Sequence, residues 1–232
     1  MLLAPKTDWI HPKVVIKLFA NTVSEGISDI SEFSDFVKSR DLKITTEAWR
    51  AAMYLVALSE TFGFPHIYLQ SNPKDPPDFY GLCLFERDGF VRGYEIEIEV
   101  FQVPNETPLS VLDEIEKKTK KAYSPKTVLV CHIRKSGFKA TIGQLHDLVK
   151  KLNPTNEIWI IGGASTDDLS NELVAQIYPV LKVVKIDIGR ILKENIENSF
   201  IRATRGLQEE LKFEDLGKKR LAPNFTLHDF DE

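Results

Sequence analysis

The sequence predicts a mixed α/β fold, and three observations lead to that prediction. Residues 93–102 alternate glutamate with apolar residues, as a strand with two different faces does. The pair Asp88-Gly89 just before this run is typical of a hairpin turn. From residue 126 onward, short apolar runs alternate with amphipathic stretches, which is typical of a largely parallel sheet covered by helices.

Composition places the chain among ordinary globular proteins. Its 232 residues are 43% hydrophobic, and the two cysteines, Cys83 and Cys131, lie inside apolar runs. Reduced thiols in an intracellular protein are therefore expected, as are a cytoplasmic location and no membrane association. The formal charge of -4 argues against a surface made for nonspecific binding of polyanions, although a local basic strip remains compatible with it.

We expect three regions. Residues 1–44 are predicted to be a helical lead-in, because residues 14–20 are apolar and residues 27–40 carry apolar side chains at helical spacing. Residues 45–212 are predicted to form one α/β domain. Residues 213–232 mix basic and acidic side chains and are predicted to be a tail.

The elements of the domain follow from caps, breaks and periodicity. Thr45 or Thr46 is suited to cap the first helix, and Gly63 and Pro65 end it. Pro104 and Pro108 end the glutamate strand. The pattern predicts helices over residues 47–60, 109–123, 141–152, 169–178 and 191–211, and strands over residues 66–70, 79–85, 93–102, 126–133, 157–161 and 182–188.

The glutamate strand is the strongest functional signal. Glu95, Glu97 and Glu99 share one face, because successive side chains of a strand point to opposite sides. Carboxylates so close together repel one another, and glutamate is a poor strand former. A divalent metal or a basic partner is therefore a hypothesis for this face, next to the simpler interpretation of a solvated strand.

A second acid is predicted to approach this strand. Mirror counting around Asp88-Gly89 places Asp78 opposite Glu99, and a register shift of two places it opposite Glu97. Two carboxylates from neighbouring strands can bind Mg²⁺ and leave positions open for water. Pro-Asp before a strand is also common turn chemistry.

At these residues the sequence resembles the PD-(D/E)xK nuclease superfamily. Pro77-Asp78 is similar to its Pro-Asp element, and Glu97-Ile-Glu99 or Glu99-Val-Phe101 is similar to its acid-x-Lys element. The resemblance implies a restriction endonuclease-like core of helix, three-strand meander, helix and strand, extended here by further helices and strands. It also implies an Mg²⁺- or Mn²⁺-dependent endonuclease that hydrolyses nucleic acid, with DNA as the expected substrate and restriction or defence as a fitting role.

The lysine of the motif is missing. If Asp78 pairs with Glu97, Glu99 occupies the lysine position; if it pairs with Glu99, Phe101 does. Family members are known to move this lysine to the following helix. The candidates there are Lys117, Lys118, Lys120 and Lys121, which a solvated helix face with Glu114 as a partner would also explain.

Two alternatives stay open. The first is a noncatalytic subunit of nuclease fold, whose role is binding or structural. The second is a doubly wound protein that binds a small phosphorylated ligand at Gly162-Gly163, which follows a predicted strand and precedes a predicted helix. Assembly as a homodimer or with a partner subunit is compatible with each.

Overall fold

The structure is a computed structural model. It describes residues 8–26, 43–72, 76–87, 90–103, 111–133, 141–163, 171–197, 199–202 and 226–227.

One mixed sheet organises the described part of the chain. Its strands lie in the order β8-β7-β6-β5-β4-β3-β2-β1-β9, and β10 pairs with β4. The strands are β1 (Asp8–Ile10), β2 (His66–Ser71), β3 (Phe79–Arg87), β4 (Phe90–Val103), β5 (Thr127–Ile133), β6 (Ile158–Gly163), β7 (Asn171–Tyr178), β8 (Lys182–Asp187), β9 (Phe200–Arg202) and β10 (Thr226–Leu227).

Helices cover both faces of the sheet. They are α1 (Pro12–Gly26), α2 (Lys43–Phe62), α3 (Val111–Thr119), α4 (Ile142–Leu152) and α5 (Ile188–Lys193). The first two pack on one face, in a core that includes Ile98 and Val130 of the sheet. The next two pack on the other face, against Phe101 and Leu129. The two faces of β4 therefore contribute to two separate cores.

Helix α2 is buried along most of its length, as its apolar sequence predicts. Residues 45–58 are buried except for Glu47, which is partly exposed. The helix lies close to β3 at Gly81, where a Cβ atom would come 2.8 Å from Leu55 Cδ2. Such a distance is shorter than packed carbon atoms adopt, so this close approach depends on glycine.

The centre of the sheet follows the predicted order. After α2, strands β2, β3 and β4 form an antiparallel meander, and α3 then leads to β5, which runs parallel to β4. Phe79 pairs with Ile98, and Arg87 pairs with Phe90. This is the register that mirror counting around Asp88-Gly89 predicts, since a two-residue hairpin fixes the pairing of both strands.

Helix α4 shows why the chain turns helical at residue 141. Thr141 accepts a hydrogen bond from the Gln144 backbone N–H, and the Gln144 side chain accepts one from the Thr141 N–H. This capping box satisfies two N–H groups that a helix start otherwise leaves unpaired. The prediction for residues 141–152 is confirmed.

Two predicted helices are wrong. Residues 169–178 were expected to be helical, but β7 occupies Asn171–Tyr178 and pairs antiparallel with both β6 and β8. The helix predicted over residues 191–211 is wrong in its described part, because α5 ends at Lys193 and β9 follows. Residues 203–211 lie outside the described residues. The sheet is therefore mixed and not largely parallel, because hydrogen bonding to neighbouring strands outweighs the local helical pattern.

Segments near the two ends of the chain also contribute strands to the sheet. The lead-in contains α1, as expected, but it also contributes β1, which lies between β2 and β9. The helix predicted over residues 27–40 lies outside the described residues. In the predicted tail, Thr226–Leu227 pairs in parallel with Arg92 and Gly93 of β4.

Within the described ranges, every helix is too short or too polar to cross a bilayer. Cys83 and Cys131 are free and buried, as predicted.

Candidate functional site

The glutamates of β4 face the α3 side of the sheet. Alternation places Glu95, Glu97 and Glu99 on the face of Phe101, which packs with α3 and α4. Glu99 is only 5% exposed. A carboxylate this deeply buried needs compensating partners, since transferring it from water is costly.

Asp78 lies at the start of β3, beside Glu99. Because Phe79 pairs with Ile98, the next pair in this register is Asp78 with Glu99. Asp78 Oδ2 accepts a hydrogen bond of 2.8 Å from the backbone N–H of Val100. The alternative register, with Asp78 opposite Glu97, is therefore wrong.

Asn72 holds the segment that carries Asp78. Its backbone N–H donates to the Asp78 carbonyl oxygen at 2.9 Å, and its side-chain Nδ2 donates to the Pro77 carbonyl at 2.7 Å. The Pro77-Asp78 step is thus tied to the end of β2. This anchoring sets the position of the aspartate relative to β4.

Glu99 is engaged through one of its two oxygens. Lys118 Nζ donates to Glu99 Oε1 at 3.0 Å, and the Tyr123 hydroxyl donates to the same oxygen at 2.8 Å. Glu99 Oε2 is buried and has no hydrogen-bond partner. Buried polar atoms are rarely left in this state, so Oε2 marks a position suited to a further ligand.

The structure separates Lys118 from the other candidate lysines. Lys118 is 19% exposed at its side chain, against 67% for Lys117 and 71% for Lys120. Lys117 lies 4.0 Å from Glu114, and Lys120 lies 2.6 Å from Glu116 on the same helix. Lys121 is exposed. Of these four lysines, Lys118 is the one that contacts the glutamate strand.

Lys118 also lies over Phe101, which is two positions after Glu99 on β4. The Lys118 ammonium lies 5.3 Å from the centre of the Phe101 ring, within the range of a cation–π contact. A positive charge from α3 therefore lies beside both Glu99 and Phe101 of β4.

Glu97 has a separate set of neighbours. It pairs with Tyr80 of β3 and with Thr127 of β5. The Thr127 hydroxyl donates to Glu97 Oε2 at 2.7 Å. Glu97 thus lies two residues before Glu99 on the same face of β4, and its carboxylate is hydrogen-bonded to β5.

The donor set fits a small divalent cation. Mg²⁺ is commonly bound by one or two carboxylates together with water and substrate phosphate oxygens. Asp78 and Glu99 supply two carboxylates from adjacent strands, and the unpartnered Glu99 Oε2 is one oxygen without a competing donor. Across the described residues, no three or more His, Cys, Asp or Glu side chains are grouped as metal ligands.

Sequence reasoning missed Tyr123, which follows α3 and carries no recognisable motif.

Sequence reasoning also missed a polar cluster on the opposite face of the sheet. There the buried Arg50 of α2 donates through Nε to His132 Nδ1 at 3.0 Å and through Nη2 to Gln102 Oε1 at 2.6 Å. Gln102 and His132 lie at matched positions of β4 and β5, so this cluster joins the ends of both strands to α2.

The turn at Gly162-Gly163 differs from the expectation. Both glycines belong to β6, and the next element among the described residues is strand β7. Phosphate binding was expected to depend on the start of a helix after these glycines. The helix predicted there is wrong, because β7 occupies Asn171–Tyr178. This finding removes the structural argument for a phosphorylated-ligand site at Gly162-Gly163.

Comparisons with known proteins give no assignment. No family model matches the chain, and no significant match is found among curated proteins or among solved structures.

Proposed function

We propose that this chain is a metal-dependent nuclease that hydrolyses phosphodiester bonds of nucleic acid, with DNA as the expected substrate. The observation that carries the proposal is the contact of Lys118 with Glu99, above Phe101. It supplies the cation that the motif on β4 lacks, next to an acid that lies opposite Asp78.

The order of elements supports this proposal. Helix α2, the meander β2-β3-β4, helix α3 and strand β5 follow the order of a restriction endonuclease-like core. Fold alone does not determine activity, so the support for a nuclease comes from the residues at the start of β3 and the end of β4. Restriction or defence remains the role we propose for such an activity.

Each residue has a distinct part in the proposed reaction. Asp78, fixed by the Val100 N–H and by Asn72, and Glu99, through Oε2, would hold Mg²⁺ or Mn²⁺. The metal, when bound, polarises the phosphate and lowers the pKa of a bound water. Lys118 offers a positive charge beside Glu99, where it can orient the attacking water and stabilise negative charge that develops on the phosphate.

Glu97 has a supporting part in this proposal. Its carboxylate oxygen Oε2 already accepts from Thr127, so it adds negative charge to the face and is not the main ligand. Replacing it should reduce activity less than replacing Glu99.

The test compares matched variants for Mg²⁺- or Mn²⁺-dependent cleavage of single- and double-stranded DNA and RNA. Asp78→Asn, Glu99→Gln and Lys118→Ala should abolish or strongly reduce cleavage. Lys117→Ala is the control, because Lys117 is exposed and lies near Glu114 on the same helix. Cleavage by none of the proteins, including the wild type, would refute the proposal.

A noncatalytic nucleic-acid-binding subunit is the second candidate, and one observation favours it. Glu99, Lys118 and Tyr123 form a compact, largely buried network that could serve stability alone. Retention of DNA without cleavage in the presence of Mg²⁺ or Mn²⁺ would support this candidate over the first.

We also propose a reducing, cytoplasmic environment. Burial raises the pKa of the Cys83 thiol to about 12 and raises that of the Cys131 thiol as well, so neither forms thiolate readily. Stable buried thiols suit a compartment in which cysteines remain reduced.

A further inference from the structure

Tyr123 stands out because its contact with Glu99 is not explained by the proposed chemistry. The residue lies between α3 and β5, and its ring packs against the core formed with Phe101 and Leu129. Its hydroxyl donates to Glu99 Oε1, the same oxygen that Lys118 contacts. Two donors on one oxygen leave the other oxygen, Oε2, as the one without a hydrogen bond.

The backbone around Tyr123 is held in place. Its N–H donates to the Lys121 carbonyl at 2.9 Å, and the Thr127 N–H donates to the Ser124 carbonyl at 3.0 Å. The buried Asn156 closes the turn from the other side. Its Nδ2 donates to the carbonyl oxygens of Ser124 at 2.7 Å and Thr127 at 2.9 Å.

Lys118 and Tyr123 therefore differ in what they can contribute. A lysine side chain carries a compact ammonium group on a flexible four-carbon chain. A tyrosine side chain is a rigid ring with one hydroxyl donor. The tyrosine, attached to a turn that Asn156 fixes, determines where Oε1 lies. The lysine supplies charge at that position.

We infer that Tyr123 is a positioning residue that orients the Glu99 carboxylate, so that Oε2 is presented to a divalent cation. This inference rests on the proposed function. Groups that hydrogen-bond a metal ligand typically change metal affinity or activity by about 10–100-fold when removed. Tyr123→Phe keeps the ring and removes the donor, so it should weaken metal binding without altering the fold.

The experiment measures Mn²⁺ affinity of the full chain by titration calorimetry, together with the melting temperature and the rate of DNA cleavage. Tyr123→Phe should lower Mn²⁺ affinity by about 10-fold or more, with a melting temperature near that of the wild type. Tyr178→Phe is the control, since its hydroxyl also contacts a side chain, Asn153 at 3.3 Å, away from Glu99. The control should bind Mn²⁺ as the wild type does.

A second variant covers the case in which Tyr123→Phe does not fold. Tyr123→His retains a ring and a hydrogen-bond donor and should keep more Mn²⁺ affinity than the phenylalanine variant. Wild-type affinity in Tyr123→Phe would overturn the inference, as would failure of both variants to fold, because the side chain would then be structural.

The outcomes also separate this inference from the proposed function. If the wild type binds no Mn²⁺ and cuts no nucleic acid, the proposed function fails and the inference fails with it. If the wild type binds Mn²⁺ and Glu99→Gln abolishes binding while Tyr123→Phe does not weaken it, only the role of Tyr123 is refuted.

Discussion

Glu172 should make the stability of this protein depend on pH. It lies on β7 between Gly163 of β6 and Ile186 of β8, and it is 8% exposed. Its Oε2 has no hydrogen-bond partner. Burial raises the pKa of this carboxyl from 4.5 to about 7, because the charged form loses its hydration.

The sign of the effect follows from proton binding. Between pH 4.5 and about 7 the folded protein keeps a proton on Glu172 that the unfolded chain has lost. The free energy of unfolding therefore falls as pH rises through this window. The pKa values of Glu172 in the unfolded and folded states, 4.5 and about 7, differ by about 2.5. A difference of one in pKa corresponds to about 1.36 kcal/mol, so the free energy of unfolding changes by about 3 kcal/mol across this pH window.

Glu172→Gln tests this expectation, because the amide has a similar shape and cannot ionise. Urea unfolding of both proteins at pH 4.5, 6 and 8 should give similar stabilities at the lowest pH and an advantage for the variant of up to about 3 kcal/mol at pH 8. The control is Glu197→Gln, whose side chain is exposed and should follow the wild type at each pH. Parallel curves for the wild type and Glu172→Gln would refute the reasoning.

Two further predictions concern packing and charge. Gly81→Ala should destabilise the protein by about 1–3 kcal/mol in urea unfolding, because the added Cβ would lie 2.8 Å from Leu55 Cδ2. The control is Gly143→Ala, whose added Cβ would have its nearest neighbour at 3.9 Å, so this variant should be neutral or stabilising. Equal effects of the two would contradict the close approach of α2 to β3. Lys118→Met should lower stability by about 2–3 kcal/mol, since it leaves the buried Glu99 without its ion pair, while Lys117→Met should change it by less than about 0.5 kcal/mol. A Lys118→Met variant as stable as the wild type would show that the pair contributes nothing to folding.

The hairpin could be predicted from sequence because its information is local. The Asp-Gly pair in the sequence predicts a two-residue turn, that turn predicts the register, and the observed register brings Asp78 to Glu99. Lys118 was also within reach of sequence reasoning. Val111 and Ile115 are buried on α3, and Lys118 lies three residues after Ile115 on the same helix face. Helical spacing from the apolar positions therefore distinguishes it from the other three lysines.

Other features depend on distant parts of the chain. In residues 169–178, Leu169, Leu173 and Ile177 have helical spacing, yet β7 pairs with both β6 and β8. A local pattern cannot reveal such pairing, which is set by neighbouring strands. Tyr123 was missed for a similar reason: its role arises from a turn that Asn156, 33 residues later, holds in place.

The pairing of β1 with β9 has a consequence for how the chain folds. Asp8 pairs with Arg202, so this edge of the sheet joins residues separated by almost the whole described chain. At a synthesis rate of about 5–20 residues per second, β1 waits roughly 10–40 s for its partner to be made. Contacts of such long range form late, because closing a long loop costs entropy before the contact is gained. The hairpin that carries Glu99 needs only neighbouring residues, so it can form before the ribosome has added β9, the strand that completes this edge of the sheet.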